Sequence, residues 1–443
     1  MFTNYPKRYY LNQKPYRHLD VSTATSLVIA SMIGTGVFTS LGYQLVDIRS
    51  VFVIIMLWII GGIISLFGAL SYCELASAFP KSGGEYYLLS KIIHPSIGFV
   101  AGLVSATVGF SAPAVLAAIA FANYSKPLLG SIDKTITATV VIVLLNILHA
   151  KGLKFGKIFQ EWTTIFKILL ILVFIMIAFV SPNHQDISIS PAGYDFRLLI
   201  SPEFAVNLVW VSYAYAGWNS SIYVVGEIMQ PEKNIFRSIF YGTSVVTVLY
   251  VLLNYVFLLI TPVDELIGKV EVGYLSATYL LGDGLADLVS LFIGLLLIST
   301  VSSYVYIGPR IIQAIGNDYD RLQAFSKIDS NGLPFNAFRL QLFISLVFIF
   351  TSSFEQVLLY TGITLIITTT ITVCSLFYLN YKKPGVKRPY VTWGYPLTSL
   401  IFVLLNLWIL YYTFKLQTFE SFVGLGLIIF SFGLFYLVRK VDK

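Results

Sequence analysis

Ser31-Met32-Ile33-Gly34-Thr35-Gly36-Val37-Phe38 and Tyr213-Ala214-Tyr215-Ala216-Gly217-Trp218-Asn219-Ser220-Ser221 each interrupt a long apolar run. Glycine in a helix interior costs about 1 kcal/mol relative to alanine, so both stretches read as helices that unwind part-way. At membrane depth, non-helical backbone is tolerated only where it lines a cavity or is buried in protein. There it presents N–H groups at a half-helix N-terminus and carbonyls at a C-terminus, which attract a carboxylate and an ammonium respectively. An α-amino acid carries both charges. Weakened helices at matching places in two halves of a chain point to a secondary transporter built from inverted repeats. The competing reading is close helix packing, which uses the same small residues.

The surroundings fit a bilayer. Of 443 residues, 57% are apolar and only 12% charged, and mean hydropathy is +0.79. Several soluble domains could not be wetted by so little charge. Windows of about 19 residues predict an all-α polytopic membrane protein of twelve spans: 21–44, 51–78, 96–122, 135–150, 155–181, 203–229, 237–261, 285–312, 335–353, 356–380, 395–414 and 420–438. An even count places both termini on one side. Twenty-two of the 29 Lys and Arg residues fall on that side, six (Arg49, Lys126, Lys134, Arg197, Lys269, Lys415) on the other, and Lys167 within a span. The positive-inside rule makes the richer side the cytoplasm, so the chain is expected in the cytoplasmic membrane with both termini inside. No cleavable signal peptide is expected, because Lys7, Arg8, Lys14 and Arg17 precede the first apolar run without a short apolar region and cleavage site. The external stretch 262–284 is expected to be a lid or a plain connector.

Other function classes fall away. The net charge of +7 is scattered among short loops, which argues against nucleic acid. Cys73 and Cys374 both lie in apolar segments and His18, His94, His149 and His184 in or beside loops, so neither a disulfide framework, a zinc cluster nor a haem site is expected. No nucleotide-binding loop appears, and no cofactor is expected. A non-transporting amino acid sensor would keep the fold but need a signalling segment, and the loops are short.

Four motifs make the chain resemble the amino acid, polyamine and organocation (APC) superfamily of secondary transporters, most nearly the L-type amino acid transporters and their bacterial relatives. They are Gly34-Thr35-Gly36-Val37-Phe38; Tyr72-Cys73-Glu74-Leu75 with Phe79-Pro80-Lys81-Ser82-Gly83-Gly84-Glu85-Tyr86; Ala214-Tyr215-Ala216-Gly217-Trp218-Asn219 with Glu227 and Gln230-Pro231-Glu232-Lys233-Asn234-Ile235; and Gly308-Pro309-Arg310. Phe236 stands where the family usually has proline. The resemblance implies one transport domain: a cytoplasmic tail (1–20), a first repeat of five spans (21–181), an inverted second repeat of five (203–380), with spans one and six discontinuous, and two peripheral helices (395–438). It implies that the N–H groups of Thr35 and Gly36, beside Gly34, receive the substrate carboxylate, and that carbonyls of Met32, Tyr213, Ala214 and Ala216 receive its amine. Tyr213 would gate the site, and Gly217, Trp218 and Asn219 would shape the side-chain pocket. With no acidic residue inside either break, neutral amino acids are expected over cationic amino acids or polyamines, by proton symport or by exchange.

Lys167 is an intramembrane charge, which is costly enough to suggest a function. In the resembling family a lysine here can take the place of a coupling sodium ion. Carbonyls of Ala30 and Ile33 and hydroxyls of Ser299, Thr300, Ser302 or Ser303 would then face it, and a proton could be lost from the buried amine. Alternatively, with the apolar core starting near Trp162, the side chain lies roughly 7.5 Å deep at 1.5 Å per residue and could snorkel to the edge. Glu74 and Glu227 are read as structural. Oligomeric state is not legible.

Overall fold

The structure, a computed structural model, describes residue 17 and residues 19–130, 132–151, 157–329 and 332–439. Of the residues on which the topology was read, Lys7, Arg8, Lys14, Lys154, Lys440 and Lys443 lie outside these, as do most of the tail, His18 and the first two residues of the fifth span. Among the described residues there are helices and no strand, only an isolated bridge between Leu19 and Ile228.

Every expected span coincides with helix. The first is split into α1 (Val21–Met32) and α2 (Gly36–Asp47). Next come α3 (Val51–Ala78), the short α4 (Gly84–Ile92), α5 (Pro95–Tyr124, with a π-helical turn at Ser105–Ser111), α6 (Lys134–Ala150) and α7 (Lys157–Val180). The sixth span is split into α8 (Pro202–Tyr215) and the single turn α9 (Ser220–Tyr223). Then follow α10 (Pro231–Ile260), α11 (Val272–Leu281), α12 (Asp283–Asp318), α13 (Phe335–Thr351), α14 (Phe354–Lys382), α15 (Leu397–Leu416) and α16 (Thr418–Val438). Eight of the helical stretches are long and apolar enough to cross a membrane, counting α1 with α2 as one; α6, α11, α13 and the Thr164–Val180 part of α7 are apolar but shorter.

Polar caps mark where the apolar runs start. Asp20 accepts from Thr23 N at 2.8 Å, Asp133 from Thr135 N at 2.8 Å, Ser201 from Phe204 N at 3.2 Å, and Ser353 with Gln356 closes a capping box. The backbone N–H groups of Ile136 and Thr135 hold the Asp133 carboxyl below its ordinary range. Large apolar side chains also point outward, among them Phe343, Phe350, Phe422 and Phe430. A water-facing surface would not carry so many; a lipid-facing one does.

The connections sort into two ends. At one, Leu19 N donates to Glu227 O (3.0 Å), Gly226 N to Ser82 Oγ (3.2 Å), Lys383 Nζ to Lys91 O (3.1 Å) and Tyr86 OH to Asp318 Oδ2 (2.5 Å). At the other, Gly268 N donates to Gly42 O (2.8 Å), Gly273 N to the Tyr124 hydroxyl (3.0 Å) and Asn207 Nδ2 to Asp47 Oδ2 (3.1 Å). The stretch 262–284 is therefore seated on α2 and α5 rather than hanging as a free connector. Glu74 is more deeply placed than a helix-end residue. It is 1% exposed, and it binds Arg388 Nη1 at 3.2 Å and Thr392 N at 2.8 Å.

Candidate functional site

Both breaks exist, and they touch. The first covers Ile33-Gly34-Thr35: α1 ends with Ile33 at φ −73°, ψ 88°, and α2 starts at Gly36 without a side-chain cap. Among the described residues no backbone carbonyl accepts from Thr35 N or Val37 N, and Gly36, as the first helical residue, has none within its own helix. The second covers Ala216–Asn219, where Gly217 adopts φ +107°. A Cβ on Gly217 would lie 2.7 Å from the Ser31 carbonyl, and one on Gly36 would lie 2.4 Å from Ala214 Cα. Both positions need glycine, because each break is pressed against the other span's backbone. The sequence offered helix packing and a binding site as alternatives for these glycines; Gly36 and Gly217 do pack, while a Cβ on Gly34 would meet nothing closer than Thr300 Cγ2 at 3.6 Å.

Three side chains from other helices meet the first break. Thr35 Oγ1 lies 2.9 Å from the Tyr213 hydroxyl. Tyr250, from the middle of α10, donates to Met32 O at 2.5 Å and lies 3.3 Å from Ala214 O. Two carbonyls expected to receive a substrate amine are thus already met by a hydroxyl. Tyr213 O accepts from Ala216 N at 3.0 Å, and the Ala216 carbonyl has no donor among the described residues. Lys167, 3% exposed, donates from Nζ to Ile33 O at 2.9 Å and to Thr300 Oγ1 at 3.0 Å. Its amine points into the bundle, so snorkelling is not the arrangement found.

The other partners proposed for Lys167 fall elsewhere. Ala30 O takes no bond from it, Ser302 Oγ lies 2.8 Å from His149 Nε2, and Ser303 donates to Ser299 O at 2.9 Å. The four hydroxyls lie close together on α12, and among the described contacts it is Thr300 that accepts from the ammonium. His149, although at a helix end, is buried by that contact. Among the described residues no group of His, Cys, Asp and Glu could hold a metal ion.

The second break leads to a residue that the sequence reading passed over. Trp218 packs edge-on against Tyr72, ring centres 4.8 Å apart, and Asn219 Nδ2 donates to Glu85 Oε1 at 2.5 Å. Glu85 stands in a polar loop motif among basic residues, with no apolar run around it to mark it. A small cavity lined by Phe38, Leu170, Phe174, Leu253, Phe257 and Val289 lies beyond the breaks, towards the 262–284 segment. Its walls are apolar, so it suits no charged ligand group.

The family model described as an amino acid permease matches residues 19–438. The mouse (Mus musculus) large neutral amino acids transporter small subunit 2 is 25% identical over 428 residues, covering 94% of this chain and 80% of that protein. The serine/threonine exchanger SteT of Bacillus subtilis (strain 168) is 25% identical over 430 residues, covering 94% and 95%. The human (Homo sapiens) cystine/glutamate transporter is 26% identical over 384 residues, covering 84% and 76%.

Proposed function

The chain belongs to the amino acid permease family, and from that premise we propose that it carries neutral amino acids across the cytoplasmic membrane by alternating access. It is a multi-pass membrane transporter and not an enzyme. In this reading twelve spans form two inverted repeats of five plus two peripheral helices, with both termini in the cytoplasm; the asymmetry of Lys and Arg among the loops supports that side. The observation that carries the proposal is the contact between two broken helices, with N–H groups of Thr35, Gly36 and Val37 on one break and the Ala216 carbonyl on the other.

The substrate carboxylate binds at the start of α2, beside Gly34, where charge-assisted bonds to bare N–H groups and the helix dipole act together. The amine goes to Ala216 O and to the carbonyls of Met32 and Ala214, displacing the Tyr250 hydroxyl that meets them. Tyr213 closes over the site through Thr35, and Trp218 shapes the side-chain pocket. Lys167 ties the break to α12 through its bonds to Ile33 O and Thr300 Oγ1. Neutral substrates are favoured because Glu85, the carboxylate that meets the second break among the described residues, has both oxygens engaged.

The test is uptake of labelled amino acids by purified protein in liposomes, with and without internal substrate and an imposed pH gradient. Saturable uptake competed by other neutral amino acids is expected. Uptake of lysine or a polyamine with none of leucine, serine or threonine would overturn the neutral assignment.

A further inference from the structure

α14 and α16 each carry an apolar residue, a tyrosine and a basic residue in order along one face. On α14 these are Ile371, Tyr378 and Lys382; on α16 and just past its end they are Phe432, Tyr436 and Arg439. Steps of three, four and seven residues keep each set on one side of its helix. At 1.5 Å per residue the two sets extend over roughly 16 Å and roughly 10 Å.

Both stripes start at the same place. Ile371 and Phe432 stand half-buried, with Ile97, at the mouth of a crevice between α4, α5, α14 and α16, and Leu89, Ala101 and Ile428 are buried within it. The crevice measures about 300 Å³ with its open mouth included. The hydroxyl on its wall, Thr368 Oγ1, donates to Thr364 O at 2.9 Å and to Leu365 O at 3.1 Å, so it asks for no further partner. Walls of this kind, in a chain that crosses the membrane, suit hydrocarbon and no polar group.

Basic groups gather where α4, α14 and α16 end. Lys91 is in the last turn of α4, two residues beyond Leu89. Lys383 Nζ donates to Lys91 O at 3.1 Å and to Ile92 O at 3.2 Å, which fixes the end of α14 against the end of α4. Lys382 lies over the Tyr381 ring at 5.1 Å and Arg439 over the Tyr436 ring at 4.4 Å. The carboxylates of Glu74, Glu85 and Asp318 at this end turn to other partners: Arg388, the Asn219 and tyrosine donors, and Tyr86. Tyr378, Tyr381 and Tyr436 are all exposed. Exposed tyrosines belong at headgroup depth, and lysine and arginine clustered beyond them attract anionic headgroups. The order crevice, tyrosine, cation is the order acyl chain, ester, phosphate of one lipid molecule.

We propose that the crevice between α4, α5, α14 and α16 is a binding site for one anionic phospholipid, with an acyl chain in the crevice and the phosphate against Lys91, Lys382 and Arg439. The lipid comes from the leaflet at the α4 end, and the site does not depend on which solute is carried. Basic helix ends are general on this side of the protein. What marks the site is that stripes on two helices converge on one apolar crevice.

The test is native mass spectrometry of the full chain in a non-ionic detergent, with phosphatidylglycerol or phosphatidylcholine of identical acyl chains added in turn, and glycerol 3-phosphate as the headgroup alone. Wild type is expected to retain one phosphatidylglycerol severalfold better than phosphatidylcholine, and no glycerol 3-phosphate. Lys91→Gln, Lys382→Gln and Arg439→Gln together should bring the two lipids level. Lys233→Gln with Arg237→Gln, exposed cations of α10, which does not line the crevice, should leave the preference unchanged. Ile371→Trp, which fills the mouth, should lower retention of both lipids severalfold; if it does not fold, the exposed basic positions decide the matter. Equal retention of both lipids by wild type, an undiminished preference in the triple variant, a lost preference in the α10 variant, or full retention by folded Ile371→Trp would overturn the site. Retention of glycerol 3-phosphate as firm as that of the lipid would overturn it too, since the crevice would then contribute nothing.

Discussion

Among the described residues neither Lys167 nor Glu85 has an ionic partner, and the two buried groups are held by opposite means. The ammonium rests on one backbone carbonyl and one hydroxyl, and the carbonyl exists as a free acceptor only because α1 has stopped. The carboxylate rests on three side-chain donors, two of them on the segment beyond the other break. The first arrangement ties α7 and α12 to one break. The second ties α3 and α4 to the other. A transporter of this kind needs contacts that keep its broken helices from collapsing while they move.

Exchanging the roles would break that contrast, and Lys167→Ala is the largest test. It removes two charge-assisted hydrogen bonds, each about 1.5–3 kcal/mol, and leaves the Ile33 carbonyl unmet inside the bundle. Uptake should fall at least about tenfold, the equivalent of about 1.4 kcal/mol in the carrier. Initial rates in liposomes measure it. Uptake like wild type would show that the bonds to Ile33 O and Thr300 Oγ1 do not support transport.

The two charges also differ in how far the sequence announces them. Lys167 stands in Ile165-Phe166-Lys167-Ile168-Leu169-Leu170, where a lone charge in an apolar run is conspicuous. Its choice of Thr300 over Ser302 or Ser303 depends on the rotation of α12 relative to α7, which residue spacing does not contain. Glu85 is one more charge in a polar loop, and its burial follows from the Gly83-Gly84 turn and from where the sixth span resumes. The breaks themselves were legible because glycine and small polar residues weaken a helix locally. What fills them was not, since Tyr250 sits in a long apolar helix like many other tyrosines of this chain. The helices were readable almost to their ends because apolar length and capping residues are local properties, whereas the seating of 262–284 on α2 is a contact between distant segments.

The next effect, on stability rather than on transport, should come from Glu74, the buried carboxylate that does have a cation. Breaking a buried ion pair from one side costs about 3–5 kcal/mol, and partial exposure of the Arg388 side chain (23%) lowers that to about 2 kcal/mol for Arg388→Ala. Thermal unfolding in detergent should show the loss, and Arg388→Lys should recover part of it. An unchanged unfolding midpoint in Arg388→Ala would show that Thr392 N alone holds the Glu74 carboxylate.

The smallest expected effect is at Tyr250, and its sign is the informative part. The hydroxyl sits 2.5 Å from Met32 O and 3.3 Å from Ala214 O, the carbonyls assigned to the substrate amine. Tyr250→Phe should destabilise the empty protein by about 1 kcal/mol, the usual net worth of one hydrogen bond. An ammonium that must displace the hydroxyl now finds those carbonyls already free, so stabilisation by saturating substrate should grow in Tyr250→Phe relative to wild type. Thermal shifts with and without a transported amino acid separate the two quantities. If substrate stabilisation shrinks instead, the hydroxyl stays in place during binding and acts as part of the cradle, and the amine must lie nearer Ala216 O, away from the Met32 carbonyl.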